Sequence, residues 1–380
     1  MNHAPSGPIA FFLPSLNGGG AERIILNLMQ GITGRGLPVD LVLAAAKGPL
    51  LSELPPGVRL ADLHASRVLR SVLPLAGYLR RERPRALVSS MNYANLVALW
   101  AARLAAQGTP VVATVHTTPS HSRPQQSGPF AKLWPPLLRT FYPWAASVVA
   151  VSRGAADDLA EWSGLPRNRI EVVYNPVITS AGLTAARQPA DHPWFSKDQP
   201  PVILGVGRLT EQKDFHTLIR AFAEVRRQHT ARLMILGEGE DRPALTALAE
   251  KIGVAQDVAL PGFVPNALAY MASSALFVLS SAWEGLPTVL IEALAVGTPV
   301  VSTDCPSGPR EILQDGRLGL LVPVGDAGAL ATAMLETMNR PRLSIPVDAL
   351  TPFTREAAVD HYLRLIENAA DHRSGRGSSR

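Results

Sequence analysis

Short apolar runs rich in β-branched residues alternate along this chain with longer Ala- and Leu-rich segments whose apolar positions recur every three to four residues. Strand-length runs joined by helix-length crossovers are the pattern of parallel sheets, so an α/β class follows. The pattern predicts strands near 8–13, 39–43, 86–90, 111–115 and 147–151, and a second set near 202–206, 232–236, 257–260, 275–279 and 299–302. Each set reads as its own Rossmann-like, doubly wound sheet, which places an N-terminal domain at 1–175 and a C-terminal domain at 202–350. Between them, 176–201 is rich in Pro, Ala and Gln and keeps neither period, so it reads as an interdomain linker. A Pro-punctuated stretch, Arg340 to Pro352, precedes a last amphipathic helix expected over about 354–368, and 371–380 is expected to be a disordered tail.

Composition supports two domains and narrows the setting. A chain of 380 residues with 47% apolar and 18% charged side chains can fill two cores. The richest helical stretch, near Leu96 to Ala106, contains Arg103, so no segment is expected to span a membrane. No lysine or arginine precedes the first apolar run, which argues against a signal peptide and for a cytoplasmic protein. A single cysteine, Cys305, excludes an intrachain disulfide and agrees with a reducing compartment. The net charge of +5 fits a phosphorylated substrate or an anionic membrane surface. Without a zinc framework or an aromatic-basic recognition motif, a nucleic-acid partner is not expected.

The densest chemistry is the run Trp283-Glu284-Gly285-Leu286-Pro287-Thr288-Val289-Leu290-Ile291-Glu292-Ala293. It lies between two predicted strands and reads as a loop entering a helix. Pro287 suits the first helical turn and Gly297 the C-terminal cap. The amides of Leu286, Thr288 and Val289 then sit at the positive end of a helix, a site for a phosphate or sugar oxygen, and Gly285 allows close approach. Thr288 and Glu292 share a helix face and Glu284 sits just before it, so two carboxylates border one anion-binding terminus. The bland alternative is a solvated helix face and an ordinary loop charge. A carboxylate amid an apolar helix beside a buried strand weighs against it. A second run, Gly205-Val206-Gly207-Arg208-Leu209-Thr210-Glu211-Gln212-Lys213-Asp214, follows the first strand of the second half. Arg208 and Lys213 can neutralise a diphosphate leaving group, or be two solvated loop cations. A dinucleotide fingerprint would need glycine at 210, where this chain has threonine, which weakens a dehydrogenase reading.

The order Gly-Arg-Leu-x-x-x-Lys, Leu-Gly-Glu-Gly, Gly-Phe-Val and Glu-Gly-x-Pro, with Glu292 seven intervening residues beyond Glu284, resembles the retaining nucleotide-sugar glycosyltransferases of family 4. That family includes bacterial transferases for glycolipids, lipopolysaccharide and carrier-linked glycans. The resemblance spans nearly the whole chain and implies a glycosyltransferase-B fold: two Rossmann-like domains, a cleft between them, and a last helix crossing back to the first domain. It implies that Arg208 and Lys213 bind the donor diphosphate, Glu292 the ribose hydroxyls and Glu284 the donor sugar. Val264, beside Phe263, matches the position whose backbone meets the base.

In the first half, Leu16-Asn17-Gly18-Gly19-Gly20-Ala21-Glu22 opens a helix after a strand, and the amides of Gly19 and Gly20 can meet donor phosphate or acceptor, or simply form a turn. His116 ends a strand at the carboxyl edge where open sheets bind ligands. A lone histidine is more often structural, but the resemblance places one near the donor sugar. The run Cys305-Pro306-Ser307-Gly308-Pro309 is similar to one in transferases of the N-acetylhexosamine or galactose type and suggests a UDP donor. No Asp-x-Asp pair is present, so neither a metal nor another cofactor is expected. The expectation is a retaining transfer of a hexose or N-acetylhexosamine from a nucleotide sugar to a hydroxyl of a glycan or lipid-linked saccharide. The alternatives are a sugar-nucleotide epimerase of the same architecture and a non-catalytic nucleotide-sugar-binding protein. Arg67, Arg70, Arg80, Arg81, Arg83 and Arg85, interleaved with Leu69, Val72, Leu73, Leu75 and Leu79, offer a basic and apolar surface for the inner face of a membrane. Lys132, Trp134, Arg139, Phe141, Tyr142 and Trp144 form a second such mixture. Core leucines and aromatics beside solvated arginines are an equally good reading.

Overall fold

The computed structural model describes residues 7–121 and 133–377. Two compact units divide the chain: Met1–Pro176 together with Phe353–Arg380, and Val177–Pro352.

The first unit is built on strands β1 (Ile9–Leu13), β2 (Val39–Leu43), β3 (Val58–Asp62), β4 (Ala86–Ser90), β5 (Val111–Val115), β6 (Ser147–Ala150) and β7 (Ile170–Val172). They form one parallel sheet in the order β3-β2-β1-β4-β5-β6-β7. Residues of β1, β2, β4 and β5 are buried throughout, as expected where helices cover both faces. The final helix, Arg355–Gly377, belongs to this unit. It buries Val359, Tyr362, Leu365 and Ile366 in the same core as Ile25, Leu28, Met29 and Ile32 of the helix Gly20–Thr33. Gly31 permits that approach, because a Cβ there would lie 2.5 Å from Val359 Cγ2. Two polar ties flank the contact, Arg355 to Gln30 Oε1 at 2.8 Å and Arg35 to Asp360 at 2.6 Å.

The second unit carries β8 (Val202–Val206), β9 (Arg232–Leu236), β10 (Val258–Gly262), β11 (Leu276–Leu279), β12 (Val300–Thr303) and β13 (Leu320–Val322). This sheet is also parallel, in the order β10-β9-β8-β11-β12-β13. Strand order reverses between β8 and β11, and open sheets bind ligands outside the carboxyl ends of strands at such a reversal.

The periodic strands of the sequence all occur, within a residue or two of their expected ends. Three strands were not anticipated: β3, β7 and β13. β3 is a half-exposed edge strand, and β7 and β13 have three residues each, too few to show a period. Within the stretch read as an irregular linker, Ser180–Ala185 forms a short helix capped by Thr179, whose side chain accepts from Gly182 N–H. The last helix continues past Asp371 to Gly377, into the segment expected to be disordered. Nothing between Glu367 and Arg373 breaks a helix, and the first glycine comes at 375. Among the described residues, no helix is long and apolar enough to cross a membrane.

Candidate active site

In the second unit, the segments that leave β8, β11 and β12 are stitched into one surface. Ala282 N–H donates to Gln212 O at 2.8 Å, and the Gln212 side-chain amide returns to Trp283 O at 3.0 Å. Ser280 Oγ donates to Lys213 O at 2.7 Å. On the other side, Glu284 N–H donates to Pro306 O at 3.2 Å and Ser307 Oγ to Gly285 O at 2.7 Å. Gly308 has φ of +97°, and a Cβ there would lie 2.4 Å from Pro287 Cδ. Its glycine therefore lets the two loops touch each other; this is the close approach that the Cys-Pro-Ser-Gly-Pro run encodes.

This stitching brings Lys213 and Glu284 together. Lys213 ends the turn Glu211–Lys213, and its Nζ lies 2.5 Å from Glu284 Oε1. The two side chains are only 15% and 8% exposed, so the pair is held in a poorly solvated place. Ser281 Oγ donates to the same carboxylate oxygen at 2.7 Å. Such a cation and carboxylate can exchange partners when a doubly charged phosphate arrives. Arg208, just beyond β8, is exposed and has no ion-pair partner among the described residues. It is a cation available for an anion.

The helix after Glu284 spans Thr288–Ala295, with Pro287 as its N-cap rather than inside the first turn. Pro287 has extended backbone, φ −71° and ψ 95°, because the loop is still turning over Pro306 and Gly308 at that point. Leu290 N–H donates to Pro287 O at 3.1 Å, so the amides of Thr288 and Val289 lie at the open end of the helix, where no intrahelical acceptor exists. Leu286 is buried. Glu292 is half-buried one turn beyond Thr288, on the same face. Gly297, with φ of +75°, follows the helix as expected. Val264 is half-buried at the end of β10, beside Phe263, whose ring is 71% exposed.

Cys305 is buried, and burial, with the Glu284 charge beside it, pushes its thiol up to about 12. It is an inert packing residue at pH 7.

In the first unit the glycine-rich loop departs from the reading of the sequence. Glu22 turns back to accept from Gly18 N–H at 2.6 Å and Gly19 N–H at 2.8 Å. The amide of Gly19 is thus satisfied by a carboxylate, which also places negative charge where an anion was expected. Gly20 opens the helix, and a Cβ on it would meet nothing within 4 Å. The signal for Glu22 was present as a glutamate three residues after the cap.

His116 follows β5. Its pKa is pushed down to about 4 by burial, so the ring is neutral at physiological pH. Nε2 lies 3.2 Å from Thr114 Oγ1, and Nδ1 is shielded from solvent with no hydrogen-bond partner among the described residues. Around it Ser90, Asn92, Asn95, Thr114 and Tyr142 form a buried polar cluster. Sequence reasoning missed these neighbours and Ser281, Gln212 and Ser307. Their signal was weak: Ser90, Thr114 and Ser281 lie at or just past the ends of apolar strands, and Asn92, Asn95, Tyr142, Gln212 and Ser307 are scattered over helices, turns and loops.

Residues 18–181 match the family described as Glycosyltransferase Family 4, and residues 200–340 the one described as Glycosyl transferases group 1. A relative from Campylobacter jejuni is 31% identical over 336 residues, covering 85% of this chain and 87% of its own. It is the N-acetylgalactosamine-N,N'-diacetylbacillosaminyl-diphospho-undecaprenol 4-alpha-N-acetylgalactosaminyltransferase. The chain belongs to this glycosyltransferase family. The glycosyltransferase is also similar to the lipopolysaccharide core biosynthesis glycosyltransferase LpsE of Rhizobium meliloti, 28% identical over 92% of this chain and 96% of that one. Among solved structures, the lipopolysaccharide outer core galactosyltransferase WaaB superposes with a TM-score of 0.70 at 22% identity, covering 94% of this chain and 99% of that one. Anabaena HepE in complex with UDP and glucose gives 0.69 at 19% identity, over 98% and 100%. Those structures establish the glycosyltransferase-B fold.

Proposed function

We propose that the enzyme transfers a hexose or N-acetylhexosamine, with retention of configuration, from a UDP-sugar to a hydroxyl of a lipid-linked saccharide in cell-envelope glycan synthesis. The observation that carries this reading is the Lys213–Glu284 pair, 2.5 Å apart at the strand-order reversal of the second unit. Arg208 and Lys213 neutralise the diphosphate as it leaves, and the open end of the helix Thr288–Ala295 adds backbone donors. Glu292 accepts from the ribose hydroxyls, Val264 and its neighbouring backbone meet the base, and Gly285 with Glu284 faces the sugar. His116, neutral at the working pH, takes a sugar hydroxyl. The cations supply the charge that a metal would otherwise supply, so transfer proceeds without one. The UDP choice draws on the UDP complex of HepE and the N-acetylgalactosaminyl and galactosyl relatives. The lipid-linked acceptor draws on the diphospho-undecaprenol substrate in the name of the Campylobacter relative.

The first unit supports a membrane-borne acceptor. The helix Val72–Glu82 buries Leu75 and Leu79 but leaves Leu73 73% exposed, and Leu69 in the preceding turn is 64% exposed. Arg67, Arg70, Arg80, Arg81 and Arg83 are exposed around them. Arg80 donates to Leu104 O at 2.6 Å on the adjoining helix Asn92–Ala105, where Leu104 is itself exposed and Arg103 lies 5.7 Å from the exposed Trp144 ring. Apolar and basic side chains interleaved on one surface suit an anionic headgroup layer. The second mixture contributes less than the sequence suggests: Trp134 and Tyr142 are core residues, and Lys132 lies outside the described residues. The test is a donor screen with a polyprenyl-diphosphate saccharide, reading UDP release and product mass. Isomerised UDP-sugar without transfer would indicate the epimerase instead.

A further inference from the structure

The hydroxyl of Thr114 makes three close contacts. Its Oγ1 lies 2.9 Å from Ser89 O, 2.7 Å from Ser90 Oγ and 3.2 Å from His116 Nε2. A hydroxyl has one proton to donate and two lone pairs to receive with. Ser89 O is a backbone carbonyl, which can only accept, so the single proton of Thr114 points at it. Turning that proton to His116 would leave two oxygen lone pairs facing each other at 2.9 Å in a buried place. Ser90 must then donate to Thr114, and so must His116, through Nε2–H. An imidazole that is neutral has one N–H, and with that proton on Nε2 the other nitrogen, Nδ1, carries a bare lone pair.

Thr114 is itself held in register. Asn95 Nδ2 donates to Thr114 O at 2.9 Å and to Tyr142 Oη at 3.0 Å. The carbonyl of Thr114 fixes which end of the Asn95 amide faces it. Tyr142 passes its own proton to Asn92 Oδ1 at 3.1 Å, and burial raises its phenol well above the ordinary range, so it remains a donor. The groups in this hydrogen-bond network behind His116 are neutral hydroxyls, amides and a phenol, and among the described residues no carboxylate or cation is part of it.

We infer that Thr114 is a positioning residue that locks His116 as the Nε2–H tautomer and leaves Nδ1 as a hydrogen-bond acceptor for a hydroxyl of the sugar. The inference rests on the assignment of His116 to the donor sugar made above. Beyond that assignment, Nδ1 receives a hydroxyl proton of the substrate and does not itself donate to a substrate oxygen or phosphate. A site of this kind selects a substrate hydroxyl at the matching position and disfavours its deoxy analogue, because the buried acceptor would stay unpaired.

The test is long-range nitrogen–proton NMR of the full chain labelled with 15N-histidine, with His116 assigned by the signals lost in His116→Gln. Wild type and Thr114→Ser should both show Nε2 protonated and Nδ1 bare, with turnover of the same order. Thr114→Val removes the acceptor for Nε2–H; it should mix or reverse the tautomer and lower kcat about tenfold while UDP affinity is kept. Wild type with Nδ1 protonated overturns the inference, and so does Thr114→Val with an unchanged tautomer. Should Thr114→Val fail to fold, the wild-type and Thr114→Ser spectra decide it alone. If the Nε2–H pattern holds but no UDP-sugar is turned over, the tautomer assignment stands and the donor reading falls.

Discussion

The Lys213–Glu284 corner and the His116–Thr114 corner both sit at the carboxyl ends of parallel strands, yet they are built on opposite electrostatic principles. In the first, a cation and a carboxylate share a poorly solvated place, with a further cation, Arg208, exposed beside the same strand end. In the second, burial keeps a histidine neutral, and its neighbours are hydroxyls, amides and a phenol. The charged corner is suited to a departing diphosphate, whose charge grows as the bond breaks. The neutral corner is suited to a sugar, whose hydroxyls are recognised by direction alone.

The charged corner should be the more sensitive. Lys213→Ala removes the cation paired with the poorly solvated Glu284 carboxylate, so it should lower turnover by about 10²–10³ and cost about 3 kcal/mol of stability. Arg208→Ala should lower turnover in the same range without moving the melting temperature, since Arg208 is exposed and unpaired among the described residues. Steady-state kinetics and calorimetric melting separate the two. Equal thermal losses in both would mean that the ion pair is not the buried element.

The neutral corner should show itself through pH. His116 has its pKa lowered from 6.5 to about 4 in the folded chain. The unfolded chain therefore binds the extra proton between those values, and stability falls as pH drops through that window while being fully present above it. The slope from this one group is at most about 1.4 kcal/mol per pH unit. Denaturant titrations from pH 7 to pH 4 should show it in wild type and not in His116→Gln. A difference that stays flat, or that grows in favour of wild type on acidification, would contradict a neutral ring.

A smaller effect separates nucleotide binding from chemistry. Glu292→Gln replaces a charged acceptor by a neutral one and should weaken UDP binding about tenfold in titration calorimetry, with EDTA leaving the affinity nearly unchanged. A strict metal requirement would break the picture of a site whose cations replace one. The smallest expected effect lies on the surface of the first unit. Each of Arg67, Arg80 and Arg83 replaced singly by alanine should lower partition onto anionic liposomes about fivefold at low salt, near 1 kcal/mol per cation. Wild-type protein that stays in the supernatant would make a soluble acceptor the better account.

The same contrast decides what could be read from the sequence. The buried strands announced themselves through runs such as Ile9–Leu13 and Val111–Val115, and the charged corner through Arg208, Lys213, Glu284 and Glu292, because charge inside apolar patterning is conspicuous. That Lys213 and Glu284 touch was not legible, since 71 residues separate them and only the loop stitching joins them. The neutral corner was legible only as His116. Thr114, Asn95 and Tyr142 look ordinary in a chain, and their meaning lies in hydrogen-bond direction. Gly19 misled for a related reason: a glycine run before a helix advertises free amides, but Glu22 had already claimed two of the loop's donors. Leu69, Leu73, Leu75 and Leu79 could not be sorted into core and surface until the helix was placed.

The proposed reaction moves a sugar from a UDP donor to a hydroxyl with retention. Its most direct test is incubation of the purified enzyme with a panel of UDP- and GDP-sugars and a polyprenyl-diphosphate saccharide, followed by mass spectrometry and anomeric NMR of the product. Stoichiometric UDP release is expected, with an acceptor heavier by one hexose or N-acetylhexosamine, joined in the donor's own α configuration. Transfer only from a GDP-sugar, an inverted β linkage, or an isomerised nucleotide sugar with no change in the acceptor would contradict it.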